Sequence, residues 1–172
     1  MTMEITNVDS FLNYYESIRK RTTRVIENIP PDRLDWTPKP GFFTFGDVIR
    51  HIASIERYMF AENATGNWSR YPGYGRELAD GYDDVLRFWE RTHRETIEIL
   101  RDLSPEDLKR ECTTPAGTKL QTWKWLRAMV EHEIHHRGQM YLMLNLCEIE
   151  RPRLYGLTSE EVLERSESGK GI

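Results

Sequence analysis

The sequence predicts an all-α protein, a four-helix bundle with a small β-hairpin before its last long helix. Three observations predict it. Four segments of about twenty residues repeat apolar side chains at spacings of three and four, the period of a helix with one buried face. The joins between them carry Pro, Gly and capping residues. And the fourth segment places two histidines, His132 and His136, on its apolar stripe one turn apart, so that both imidazoles face the core.

The first helix is expected from about Val8 to Ile29, on the stripe Phe11, Tyr15, Ile18, Thr22, Val25 and Ile29, with Pro30 and Pro31 to stop it. The second opens at Thr44, a residue type that caps helix N-termini, and carries Val48, Ile52, Ile55 and Met59 to Gly66, with His51 beside the stripe. Residues 65–79 are rich in Gly, Pro and aromatics; fully extended, fifteen residues reach about 50 Å, enough to run the length of a bundle whose helices are about 30 Å long. A crossover that starts the third helix parallel to the second is therefore allowed. That third helix begins near Asp80 and repeats Tyr82, Val85, Leu86, Trp89, His93, Thr96, Ile97, Leu100 and Leu103; Ser104-Pro105-Glu106 then opens a short separate turn. Residues 111–121 join β-compatible runs through Pro-Ala-Gly, as a hairpin would. The fourth long helix spans Thr122 to about Cys147, with Trp125, Met129, His132, His136, Met140, Met143 and Cys147 within about 80° of one another. After Pro152 one short helix, Ser159 to Arg165, precedes a Ser-Glu-Ser-Gly-Lys-Gly stretch that should fray.

At 172 residues the chain is read as one domain over residues 1–172. A net charge of −4, with cations scattered among acids, supplies no positive field for nucleic acid or anionic lipid. No apolar run approaches the roughly 20 residues of a membrane span, and Met-Thr-Met-Glu lacks a secretory apolar region. Cys112 and Cys147 form no framework, so two reduced thiols in a cytoplasmic protein are expected, a single disulfide staying open.

Two imidazoles at i and i+4 can chelate one divalent ion, and His51 from another helix would make a three-histidine site with one tetrahedral position open. Burying such a pair among Met and Trp without a partner costs about 1–3 kcal/mol for each unsatisfied polar atom, which a shared metal removes. Three imidazoles suit zinc or nickel first, with iron or manganese accepted. His135 points about 100° away from His136, toward solvent or an interface. His93, on the third stripe, is a candidate base, an outer donor to a ligand, or a packed histidine. Glu133, at the edge of the metal face, could orient a ligand or act as a base, or simply be solvated. Arg137 and Gln139 could line the mouth of the site or pair along the helix surface, and Trp68, Tyr71 and Tyr74 could reach it from the long connection. His132-Glu133-Ile134-His135-His136 also fits H-E-x-x-H, but no histidine follows His136, and the stripe is that of a bundle helix rather than of a protease cleft.

The segment Leu34-Asp35-Trp36-Thr37-Pro38-Lys39-Pro40-Gly41, then Phe45-Gly46-Asp47-Val48-Ile49-Arg50-His51-Ile52 with Glu56 following, then His132-Glu133-Ile134-His135-His136-Arg137-Gly138-Gln139, resembles the DinB/YfiT-like metalloenzyme family over nearly the whole chain. The most specific part of that likeness is His51 joined to His132, His136 and the trailing Arg-Gly-Gln. The resemblance implies up-down-down-up topology, a metal held by His51, His132 and His136, and frequently a homodimer. Members of the wider superfamily include transferases that use low-molecular-weight thiols such as bacillithiol, mycothiol or glutathione, and a thiol-dependent isomerase. The leading expectation is thus a transferase that activates a thiol cosubstrate at the metal for attack on a small electrophile. A metal-dependent hydrolase of a small ester, amide or lactone, with Glu133 or His93 as base, and a non-catalytic ligand- or partner-binding bundle are the alternatives.

Overall fold

The computed structural model describes residues 4–168. Its long helices are α1 (Val8–Glu27), α2 (Phe45–Ser54), α3 (Tyr82–Arg101) and α5 (Thr122–Leu146), with short helices α4 (Pro105–Lys109) and α6 (Ser159–Glu167). Strands β1 (Glu111–Thr113) and β2 (Lys119–Gln121) form the expected antiparallel hairpin, with Cys112 opposite Leu120. The starts are set by local chemistry. Asn7 accepts from Ser10 N, while Thr44 with Asp47, Ser104 with Asp107 and Thr158 with Glu161 form reciprocal capping boxes. Gly81, at φ +83°, turns the chain into α3, which starts at Tyr82, the first residue of its stripe, rather than near Asp80. The tail helix runs on to Glu167; the rest of the stretch expected to fray, from Gly169, lies outside the described residues.

Helix directions follow from two apolar clusters. One gathers Phe11, Leu12, Tyr15 and Ile18 of α1, Phe60 and Ala64 from beyond the end of α2, Leu100 of α3, and Trp125, Leu126 and Met129 of α5. The other gathers Val25 and Ile26 of α1, Val48, Ile49 and Ile52 of α2, Val85, Phe88 and Trp89 of α3, and Met140, Met143 and Leu144 of α5. The starts of α1 and α5 thus share an end with the finishes of α2 and α3, which is up-down-down-up. The connection after α2 runs back along the bundle, as its length allows. Cys112 and Cys147 belong to opposite clusters and are both free thiols.

Two features depart from the periodicity. Beyond Ser54 the second helix does not continue as α: Ile55–Ala61 winds as a π-helix before a last α-turn at Glu62–Ala64. Its buried residues Ile55, Glu56, Phe60 and Ala61 recur at five, the spacing of the wider turn, and Met59 of the expected stripe is only half-buried. In α3 the core face is rotated, with Phe88 and Thr92 buried and Leu86 only partly so. Between the two clusters lies a belt of buried polar side chains: Arg19, Thr22, Glu56, Thr92, Thr96, Glu133 and Arg137.

Candidate metal centre

His51 sits on the second turn of α2, whose Thr44 cap fixes where that turn begins, and His132 and His136 stand one turn apart at the middle of α5. Each ring offers a nitrogen, and these ligand atoms all lie within 4.8 Å of one another. Ring centroids are 5.0 Å apart for His51 and His132, 4.7 Å for His51 and His136, and 4.5 Å for the α5 pair. Nε2 of His51 is 3.1 Å from Nε2 of His132. Two nitrogens on one tetrahedral zinc, at about 2.05 Å each, stand about 3.3 Å apart, so little movement separates this arrangement from a chelate.

Proton counting sharpens the point. Two Nε2 lone pairs cannot face each other at hydrogen-bond distance without something positive between them, so one ring donates a proton to the other. A metal cation would take that proton's place. On the outer side, Nδ1 of His136 donates to Oε1 of Gln139 at 2.9 Å, and Nδ1 of His51 lies 2.6 Å from the Tyr71 hydroxyl. Both outer contacts leave Nε2 turned inward.

Burial keeps the rings neutral, which is the ligating form. Desolvation, with smaller repulsions from the neighbouring imidazoles, pushes His132 down to about 3, and desolvation with His136 pushes His51 down to about 4. Burial also lowers His136, against the raising effect of its bond to Gln139. Among the described residues the side-chain hydrogen-bond partners of the three rings are Tyr71, Gln139 and one another, with no carboxylate.

The other sequence candidates lie elsewhere. Glu133 is fully buried and turns toward α1, where its Oε2 accepts from the Tyr15 hydroxyl at 2.8 Å and from Arg19 at 3.2 Å. His93 bridges two carboxylates, Nδ1 to Glu56 at 2.7 Å and Nε2 to Glu16 at 3.2 Å. Arg137 is buried and bonds the Ile18 carbonyl and the Tyr155 hydroxyl. Gln139 alone of these touches a triad histidine. His135 is exposed, with its ring edge-on to His136.

Arg19 and Tyr15 did not stand out as polar partners in the sequence, because they sit on an apolar α1 stripe. Arg19 lies across the Trp89 ring and contacts both Glu56, at 2.7 Å, and Glu133. It thereby ties the two histidine-bearing helices together behind the triad. Burial raises the carboxyl of Glu56, but Arg19 and His93 outweigh it and hold the group below its ordinary value. Burial, reinforced by Glu133 and Glu56, pushes the Tyr15 phenol well up, so it stays a neutral donor. The available signal was an Arg four residues after a buried Tyr, on a face otherwise apolar.

Among known proteins, the chain is 26% identical over 145 residues to an Oceanobacillus iheyensis protein named "Putative metal-dependent hydrolase OB0782", covering 77% of this chain and 84% of that one. Its fold is similar to a DinB-like protein from Bacillus cereus (TM-score 0.72, 18% identity, 87% of this chain and 99% of that chain). It is also similar to YfiT from Bacillus subtilis, described as a probable metal-dependent hydrolase with an unusual four-helix bundle topology (TM-score 0.66, 18% identity, 87% and 94%). A third similar fold is that of a mycothiol-dependent maleylpyruvate isomerase (TM-score 0.64, 16% identity, 78% and 60%). The family model described as the DinB superfamily matches residues 14–140, from α1 through both α5 histidines, and the chain belongs to that superfamily.

Proposed function

We propose that His51, His132 and His136 hold one divalent metal, and that the protein is an enzyme which activates a low-molecular-weight thiol there for transfer to a small electrophile. A metal on three neutral imidazoles would keep its double positive charge and an open position, and would lower the pKa of a thiol or water bound to it so that the conjugate base is available near neutral pH. The observation that carries the thiol reading is that, among the described residues, no carboxylate hydrogen-bonds a ring of the triad. Base-assisted hydrolysis calls for a general base within hydrogen-bond reach of the attacking water, whereas hydroxide formed directly on the metal does not. Glu133 holds Tyr15 and Arg19 through Oε2, its buried Oε1 having no partner, and His93 is held by Glu56 and Glu16. A metal-bound thiol, like a metal-bound hydroxide, needs no such base once its proton has gone to solvent, and its anion supplies the charge that the imidazoles lack. The similarity to the mycothiol-dependent isomerase supports the same reading at the level of the fold.

The second reading, metal-dependent hydrolysis of a small ester, amide or lactone, is supported by the names of OB0782 and YfiT. One experiment separates the two. Cobalt-substituted protein is mixed with bacillithiol, mycothiol or glutathione and a small electrophile, and both the spectrum and the products are followed. The thiol reading expects a sulfur-to-cobalt charge-transfer band and a thiol adduct that both disappear in His136→Ala. Turnover of an ester without thiol, and no such band, would establish the hydrolase instead. Neither activity would leave a non-catalytic binding bundle.

A further inference from the structure

Several aromatic rings surround the triad, but they contact it differently. Phe43 packs against the His51 ring at 5.5 Å between centroids, and Phe60 against His132 at 5.9 Å. Tyr71 instead brings a hydroxyl to 2.6 Å from Nδ1 of His51. It comes from the connection between α2 and α3, twenty residues along the chain, whereas the corresponding partner of His136, Gln139, stands on α5 itself.

Tyr71 is not a freely hanging surface residue. Just before it, Arg70 N donates to the Tyr58 carbonyl at 2.7 Å and the Ser69 hydroxyl to the Met59 carbonyl at 3.3 Å, both on the π-helical segment. Just after it, Arg50 donates to the Tyr74 carbonyl at 2.7 Å and the Ala79 carbonyl at 3.1 Å. Arg50 is buried and is the chain neighbour of His51. The stretch carrying Tyr71 is thus pinned at both ends to the helix that carries the ligand.

We infer that Tyr71 is a positioning residue of the metal centre: its hydroxyl accepts the Nδ1 proton of His51 and holds the ring with Nε2 turned toward His132 and His136. The inference rests on the three-histidine metal reading. An imidazole that ligates through Nε2 must carry its proton on Nδ1, and a partner for that proton fixes both the tautomer and the ring's rotation. Without the phenol, Nδ1–H would face water from a half-buried position and the ring would be free to turn over. Losing such an outer partner lowers metal affinity by about 10–100-fold.

The test compares wild-type, Tyr71→Phe and Tyr74→Phe protein. Phenylalanine keeps the ring and its packing, and thermal unfolding of the metal-free proteins checks that the fold is kept. Zinc affinity is read by competition with a chromophoric chelator, and the imidazole Nδ1–H protons of zinc-loaded protein by NMR. Expected are about 10–100-fold weaker zinc binding in Tyr71→Phe, loss of the slowly exchanging His51 Nδ1–H signal with that of His136 retained, and no such change in Tyr74→Phe. Equal zinc affinity and a retained His51 signal in Tyr71→Phe overturn the inference while leaving the metal site standing. A wild-type chain that takes up no zinc overturns the metal reading and this inference together.

Discussion

His132 is the most strongly perturbed ring of the triad, and acid acts on the fold through it and His51. In the unfolded chain His132 and His51 take up protons near 6.5; in the folded, metal-free protein burial lowers them to about 3 and about 4. Between those values the unfolded chain binds protons that the folded one refuses, so stability is full above 6.5 and declines as pH falls toward the folded values. Urea midpoints of metal-free protein should be level from pH 8 to 7 and drop steadily below 6.5, with a shallower drop in His132→Ala. Metal bound at the proposed site should be lost as pH falls, because protons and metal compete for the same lone pairs. The two adjacent histidines should also behave unalike. His136→Ala should lose most metal in elemental analysis, and exposed His135→Ala should keep about one ion per chain; equal loss in both would remove the assignment.

Among the elements, the centre of the bundle matters more than its ends. Arg19→Met would leave the buried carboxylates of Glu56 and Glu133 facing each other's side of the bundle without their shared cation, and removing one partner from a buried pair costs about 3–5 kcal/mol. Thr44→Ala, which opens one capping box, costs about 1 kcal/mol. The urea midpoint should therefore fall clearly further for Arg19→Met, and the reverse order would mean that Arg19 is not the clamp that its contacts make it. This is also where the sequence was hardest to read. Apolar spacing located the four long helices and the capping chemistry located most of their starts, because both are local properties of the chain. The π-helical turn is not local in that sense: placing Phe60 rather than Met59 in the core depends on what α3 and α5 present opposite, and the wider turn aims Glu56 at Arg19 and His93. The three-histidine cluster was legible because two histidines one turn apart on an apolar stripe need a shared partner, and the family likeness joined His51 to them. Glu133 and Arg137 were legible as residues but not as partners, since both belong to the face of α5 turned toward α1.

For the molecule as a whole, periodicity says which face of each helix is buried but not which way its neighbour runs, and direction came from resemblance in the sequence and from the two end clusters in the structure. One face remains uncovered. Leu142 and Leu146 of α5 are 58% and 56% exposed, beside exposed His135, and α6 does not cover them. We propose that this strip is a twofold interface between copies of the chain, since paired apolar residues on one exposed face are more than solvation needs. Light scattering at micromolar concentration should report a dimer that Leu142→Glu/Leu146→Glu converts to monomer; a wild-type monomer would rule the interface out. Among the described residues no helix is long and apolar enough to cross a membrane.

The spread of the triad along the chain has a kinetic consequence. His51 and His132 are 81 positions apart and come together only when α2 and α5 have docked against each other. A metal therefore has no complete site to grip in an early, partly ordered chain. It should leave the folding rate nearly untouched and slow unfolding instead, so its effect would appear on one arm of the chevron alone.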